Sequence, residues 1–315
     1  MTRIKRPATW DEFIGQREEI LPLQNDILAA LKSESVLGHV LLSGPPGLGK
    51  TTLAGIIAHE MGSTMLATSA DVLTKPADMV GTLASLSEGD VLFIDEVHAL
   101  HPRVQEALYP AMEDFKTSVL IGGGQSAVPT EIPLARFTLV GATTSPGGLT
   151  APFADRFEDH IVLRMYTAEK LQEVVNRGAH RGGITLGNDA ATLIAEHGRG
   201  TPRRALRLLR QSHRYAIARE VSEVSGQHVR DTLKMRRIGH LGLEHCEVRL
   251  LHALTDTMER KTVGLDRIAQ ILNTDSKSVM RWETELLRMG LIGGAGSGRF
   301  ATERGYKYMR EAEAA

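Results

Sequence analysis

A chain of 315 residues that is 42% hydrophobic and 4% aromatic has room for two or three domains, with a core drawn mainly from Leu, Ile, Val, Ala and Met. Lys plus Arg (37) almost balance Asp plus Glu (38), so whole-chain charge makes no case for a polyanionic partner and leaves only a local basic stripe to carry one. The lone cysteine, Cys246, excludes an internal disulfide, reads as a small buried hydrophobe and suits a reducing, cytoplasmic setting; the basic start lacks the apolar run of a secretory signal, and no apolar stretch reaches the ~20 residues of a membrane span.

In chain order, Ile20, Leu23, Ile27 and Leu31 recur at helical spacing and predict an amphipathic helix over 17–32. Short apolar runs follow at His39–Ser43, Met65–Thr68, Val91–Ile94 and Phe137–Val140, separated by helical patterns. That alternation predicts buried parallel strands covered on both faces. Leu120 to Pro133 is Gly-rich and then alternating, as in a loop or a projecting hairpin. After Tyr166 the pattern turns helical throughout, with helices expected over 168–181, 188–197, 202–219 and 226–235 and no strand signal among them. A second break falls near Gly239 and Gly242. Helices are then expected near 244–259, 264–272 and 275–289, with a Gly-rich turn and a strand-like piece at Arg299–Thr302, the pattern of a winged helix-turn-helix. The expected domains are therefore 1–166, 167–238 and 239–315.

Gly44-Pro45-Pro46-Gly47-Leu48-Gly49-Lys50-Thr51 satisfies the phosphate-loop spacing, after an apolar strand and before a helical pattern that starts at Thr52. Its glycines let backbone N–H groups line an anion nest at a helix N-terminus. Lys50 suits the β- and γ-phosphates, and the Thr51 hydroxyl suits Mg²⁺. Val91–Ile94 ends in Asp95 and Glu96, two acids whose placement at a strand end calls for a cation. Asp95 would orient metal-bound water, and Glu96 would polarise the attacking water. Phe137–Val140 runs into Thr143 and Thr144, where a hydroxyl suits the γ-phosphate or that water. His98 and His101 form H-x-x-H on an expected helix, without the further ligands a metal site needs.

These motifs, together with Asp11–Gln16, LYPAMEDF (108–115), FTLVGATT (137–144), APFADRF (151–157), GTPRRALRLLR (200–210), GLDRIA (264–269) and GRFATERGY (298–306), resemble the RuvB family of Holliday-junction branch-migration ATPases over most of the chain. The resemblance implies an α/β P-loop NTPase domain of the AAA+ kind, a three-layer structure with a parallel sheet, followed by an all-α lid and a winged helix. It implies ATP and Mg²⁺ as cofactors, held by Arg6, Ile14, Gly44, Pro45, Gly47, Leu48, Gly49, Lys50, Thr51, Thr52, Tyr166, Pro202 and Arg203, with Asp95 on the metal. Tyr166 matches the position that flanks adenine, or else packs a hinge. Arg203 matches the second sensor and Thr144 the first. Arg156 matches an arginine finger that reaches a neighbouring subunit, so a hexameric ring is expected, acting on duplex DNA and four-way junctions with a RuvA-like partner. Arg281, Arg299 and Arg304 are the expected DNA contacts.

The sequence departs from the family pattern in three places. Ser145 stands where the family has Arg after GATT, Ala154 stands where it has Arg two residues before the finger, and the tip Ala295–Arg299 keeps one of two arginines. Two other functional classes fit the same motifs: an ATPase that remodels a protein partner, and an ATP-gated winged-helix DNA-binding protein. Glu96 and Arg156 argue against the last, because a binding switch needs neither.

Overall fold

The computed structural model describes residues 4–121, 128–256, 262–296 and 298–313. They form two compact units, one of Met1–Gly183 with Gly200–Leu206 and one of Ile184–Arg199 with Arg207–Ala315.

The first unit is built on a sheet of five strands in the order β2-β3-β6-β1-β7. After helix α1 (Arg17–Lys32) come β1 (Val40–Ser43), α2 (Lys50–Glu60), β2 (Met65–Ser69), α3 (Pro76–Ala84), β3 (Val91–Asp95) and α4 (Pro102–Asp114). An antiparallel hairpin, β4 (Lys116–Ile121) with β5 (Val128–Pro133), precedes β6 (Thr138–Thr143), α5 (Ala151–Ala154), β7 (Asp159–Val162) and α6 (Ala168–Arg181). Every pairing in the large sheet is parallel. The register places Ser43 beside Thr143 and Ile94 beside Gly141, so the ends of β1, β3 and β6 come out together. Such strands are covered on both faces, and β1, β6 and the first four residues of β3 are buried throughout. A core of Leu92, Ile94, Leu108, Met112, Phe137, Phe153 and Phe157 fixes β3, α4 and the α5 segment against one another.

The hairpin settles the choice left open for 120–133, although 122–127 lie outside the described residues. Strand β7 was not expected. Asp159 and His160 break its apolar run, and it lies at the sheet edge, paired with β1 on one flank.

The second unit contains β8 (Thr185–Leu186), α7 (Ala190–His197), most of α8 (Pro202–Ile217), β9 (Glu223–Val224) and α9 (Gly226–Met235). The expectation that no strands occur here is corrected: β8 and β9 pair in parallel. Each has two residues, too few for any periodicity to register. Helix α10 (His245–Asp256) leads to β10 (Val263–Gly264), α11 (Leu265–Leu272), α12 (Ser276–Arg288), β11 (Ile292–Ala295), β12 (Gly298–Ala301) and α13 (Glu303–Glu313). The order β10-β12-β11 gives the wing three strands. Asn273 ends α11 in the left-handed conformation, and Asp275 caps α12 through the Ser278 N–H, which makes the tight turn between the two helices. Buried Arg199 bonds both oxygens of Glu247 at 2.6 and 3.0 Å and Glu285 at 3.0 Å, joining the end of α7 to α10 and α12. Cys246 is half-buried, and that burial raises its thiol pKa. Among the described residues, no helix is long and apolar enough to cross a membrane.

Candidate active site

Gly44, Gly47 and Gly49 have φ of 132°, 85° and 112°, a region that side chains rarely adopt. At Gly44 a Cβ would stand 2.5 Å from the Leu163 carbonyl oxygen, and at Gly47 it would stand 2.9 Å from Arg203 Cβ. The loop is thus a cradle that only glycine can line, with Leu48 fully buried beneath it. Pro45 is half-buried on the same loop, and Thr51 and Thr52 are half-buried in the first turn of α2.

Lys50 opens α2 and is 7% exposed. Its Nζ donates to the carbonyls of Gly44 (2.6 Å) and Pro45 (3.2 Å). Burial lowers its pKa, Glu96 and Asp95 push the other way, and Arg203 adds to the lowering. All four charged groups therefore share one electrostatic site.

Asp95 closes β3, and its Oδ1 accepts the Glu96 N–H at 3.1 Å. Glu96 is left-handed (φ 50°), which turns its side chain back toward β6. Its Oε2 accepts from Thr144 Oγ1 (2.8 Å) and Thr144 N (3.2 Å), with His98 Nδ1 at 3.3 Å. Thr143 is the inner neighbour: fully buried, it contacts His98 Nδ1 at 3.0 Å and accepts the Ser145 N–H at the same distance. Of the two threonines, Thr144 addresses the carboxylate. The H-x-x-H pair divides. His98 joins this network from a single turn, Val97–Ala99, whereas His101 caps α4 through the Arg103 N–H, so neither histidine sits on the regular helix expected for them. No group of three or more His, Cys, Asp or Glu that could hold a metal occurs among the described residues.

A second wall forms from residues far apart in sequence. Ile14 is buried, and a Cβ on Gly15 would lie 3.0 Å from the Tyr166 ring. Burial raises the Tyr166 pKa to about 12, so the phenol stays neutral. Tyr166 N donates to Gly200 O at 3.0 Å, and Arg203 N donates to Gly47 O at 3.2 Å. Residues 200–203, with Pro202 half-buried, thereby lie on the phosphate loop itself. Sequence reading missed Thr201, which is buried against Gly47, although it stands within the GTPRR string. Arg6 is exposed on the segment before Trp10.

The remaining candidates lie elsewhere. Arg156 is ion-paired with Glu113 at 2.9 Å, not with its sequence neighbours Asp155 or Glu158. Arg281 on α12 and Arg304 on α13 are exposed. Arg299 differs from both: its Nε and Nη2 bond the two oxygens of Glu283 at 2.6 and 2.8 Å.

The family model described as the Holliday junction DNA helicase RuvB P-loop domain matches residues 5–165, the RuvB AAA lid domain matches 166–239, and the RuvB C-terminal winged helix domain matches 240–310. The chain is 41% identical over 310 residues to the Holliday junction branch migration complex subunit RuvB of Kosmotoga olearia, covering 98% of this chain and 91% of that one. It is 41% identical over 305 residues to the subunit of the same name from Trichormus variabilis, covering 96% and 83%. Among solved structures it is similar to the RuvB Holliday junction branch migration motor of Thermotoga maritima, with TM-score 0.85, 37% identity and coverage of 98% of this chain and 99% of that one. With all three domain models matched in order along one continuous chain, this protein belongs to the RuvB family.

Proposed function

We propose that the protein is an ATP-driven motor that moves Holliday junctions, acting in the cytoplasm as one subunit of a hexameric ring around duplex DNA. The carrying observation is the meeting of Lys50, Asp95, Glu96, Thr144 and the 200–203 segment at the phosphate loop, in a chain that also carries a winged helix. We divide the chain functionally into an ATPase domain (1–166), a lid (167–238) and a DNA-binding domain (239–315).

The site fits a nucleoside triphosphate. The glycine cradle presents backbone donors, and Lys50, already desolvated, gains more from an incoming anion than an exposed lysine would. Gly44, Pro45, Gly47, Leu48 and Gly49 wrap the phosphates, Thr52 and Arg203 flank them, and Arg6, Ile14, Tyr166 and Pro202 face the base. Mg²⁺ of this kind takes one or two protein ligands besides phosphate and water, a set that Thr51 and Asp95 supply. When bound, it neutralises phosphate charge. Glu96 orients and polarises the attacking water. Two hydrogen bonds from Thr144 fix the Glu96 carboxylate before substrate arrives. Arg156 stabilises the charge developing on the γ-phosphate of an adjacent subunit. Arg281 and Arg304 contact DNA backbone, and Arg299 does so when its pair with Glu283 opens. The relatives' description as subunits of a branch migration complex supports a RuvA-like partner.

The test is ATP hydrolysis with and without duplex DNA, alongside dissociation of a labelled four-way junction. Stimulation by DNA and ATP-dependent junction movement are expected. A protein whose turnover ignores DNA and that leaves the junction intact contradicts the proposal. One observation favours a second reading, remodelling of a protein partner: Arg299, the arginine left at the wing tip, is engaged by Glu283. Retention of a protein client with no DNA bound would select it.

A further inference from the structure

Helix α4 carries Gln105, Tyr109 and Glu113 at intervals of four, so the three share one stripe along the helix. Each of them addresses the finger segment. Thr150 Oγ1 donates to Gln105 Oε1 at 3.0 Å, and Gln105 is itself buried and donates to Leu100 O at 2.9 Å. The Tyr109 hydroxyl lies 3.4 Å from the same Thr150 Oγ1, and its ring packs beside Phe153, 6.2 Å between centroids. The Arg156 guanidinium lies over that ring, 3.9 Å from its centroid. Its Nη2 meets Glu113 Oε1 at 2.9 Å, and its Nη1 donates to the Pro152 carbonyl. The Nε is buried and has no hydrogen-bond partner among the described residues.

A flexible arginine is thereby given one pose. The ring fixes the plane of the guanidinium, the carboxylate and the carbonyl fix its rotation about that plane, and the α4 stripe ties the whole of 150–156 to a rigid helix. We infer that Tyr109 and Glu113 are positioning residues for Arg156, presetting its guanidinium for the phosphate of a neighbouring subunit. The inference rests on the finger reading of Arg156 given above. Physically, a side chain held in a single rotamer meets its target without first losing rotamer freedom, and a guanidinium stacked on a ring face keeps its charge while one edge is occupied. Glu113 is half-exposed, so its pairing is weak enough to yield to a polyphosphate.

The experiment is a double-mutant cycle on ATP turnover, run on the full chain with duplex DNA at saturating ATP. Tyr109→Leu is expected to lower kcat about fivefold, the size of one exposed cation–π contact, with KM for ATP little changed. Tyr109→Phe, which keeps the ring, recovers most of the loss. Glu113→Gln lowers kcat about two- to threefold. In an Arg156→Ala background, Tyr109→Leu has no further effect on kcat, because nothing remains for the ring to position. A Tyr109→Leu loss of equal size in both backgrounds overturns the inference and leaves the finger reading intact. If Arg156→Ala alone keeps the parent kcat, the finger reading fails first and the inference falls with it. Thermal midpoints of each variant identify any loss that comes from unfolding.

Discussion

The phosphate loop and the wing each place a cation where an anion is expected, and they treat it in opposite ways. Lys50 is buried, bonded to backbone carbonyls and lowered in pKa by desolvation. Arg299 is matched edge to edge with Glu283, and that hydrogen-bonded carboxylate raises its pKa. One charge sits among backbone dipoles and acids that a phosphate and a cation can reorganise. The other is already committed to a partner that repels phosphate. Nucleotide recognition is thus built into the fold, whereas the DNA contact proposed for Arg299 depends on how readily one ion pair opens.

The largest effect that separates the two regions is expected at Lys50. Lys50→Ala should cut ATP turnover on the order of 10²-fold or more, measured by phosphate release, and should abolish the rise in thermal midpoint that ATP analogues give the parent. Arg299→Ala should leave turnover without DNA unchanged. Its cost falls on stability: it strands the mostly buried Glu283 carboxylate, and a loss of about 1–3 kcal/mol in urea unfolding followed at Trp282 is expected. No loss there would mean that the pair is loose and the contrast with Lys50 is overstated.

A finer test uses salt. Each phosphate contact adds about 0.9 to the slope of log affinity against log salt. Arg304→Ala should flatten that slope by about this amount, because Arg304 is exposed. Glu283→Gln releases Arg299 and should steepen it by a similar increment. An unchanged slope in Glu283→Gln would show that Arg299 does not face the backbone even when freed.

The smallest expected effect concerns His39, at the start of the strand that leads to the phosphate loop. Its Nδ1 accepts the Leu139 N–H at 2.9 Å, so Nε2 carries the proton and donates to Met112 O at 3.1 Å. Burial lowers its pKa. The unfolded chain takes up a proton near the ordinary value of about 6.5 while the folded chain resists, so His39 adds stability above that pH that is lost as pH falls toward the folded value. Imidazole NMR should show His39 titrating below the ordinary imidazole value. A His39 that titrates at or above that value would contradict the assigned hydrogen bonds.

Much of this was legible in the residues. The phosphate loop, the acids closing β3, the threonines closing β6 and the winged helix were all readable, because each joins a distinctive spacing to a buried strand or an amphipathic helix. Strand β7 was not readable, since Asp159 and His160 mask an edge strand whose pairing is visible only in three dimensions. The β8–β9 pair is too short to leave a pattern. At the site, sequence placed Thr144 only by likeness, and its bonds to Glu96 supply the physical reason. The partners of Arg156 and Arg299 were hidden for another reason. Glu113 and Glu283 are 43 and 16 positions away, and nothing in a one-dimensional reading says which acid faces which base.

The most direct test of the account is junction movement by Glu96→Gln protein. This variant should bind ATP as the parent does, by thermal shift, and assemble with DNA, yet leave a labelled four-way junction intact over times in which the parent dissociates it fully. If Glu96→Gln moves the junction at the parent's rate, the energy does not come from the site between Lys50 and Glu96, and the central claim is wrong.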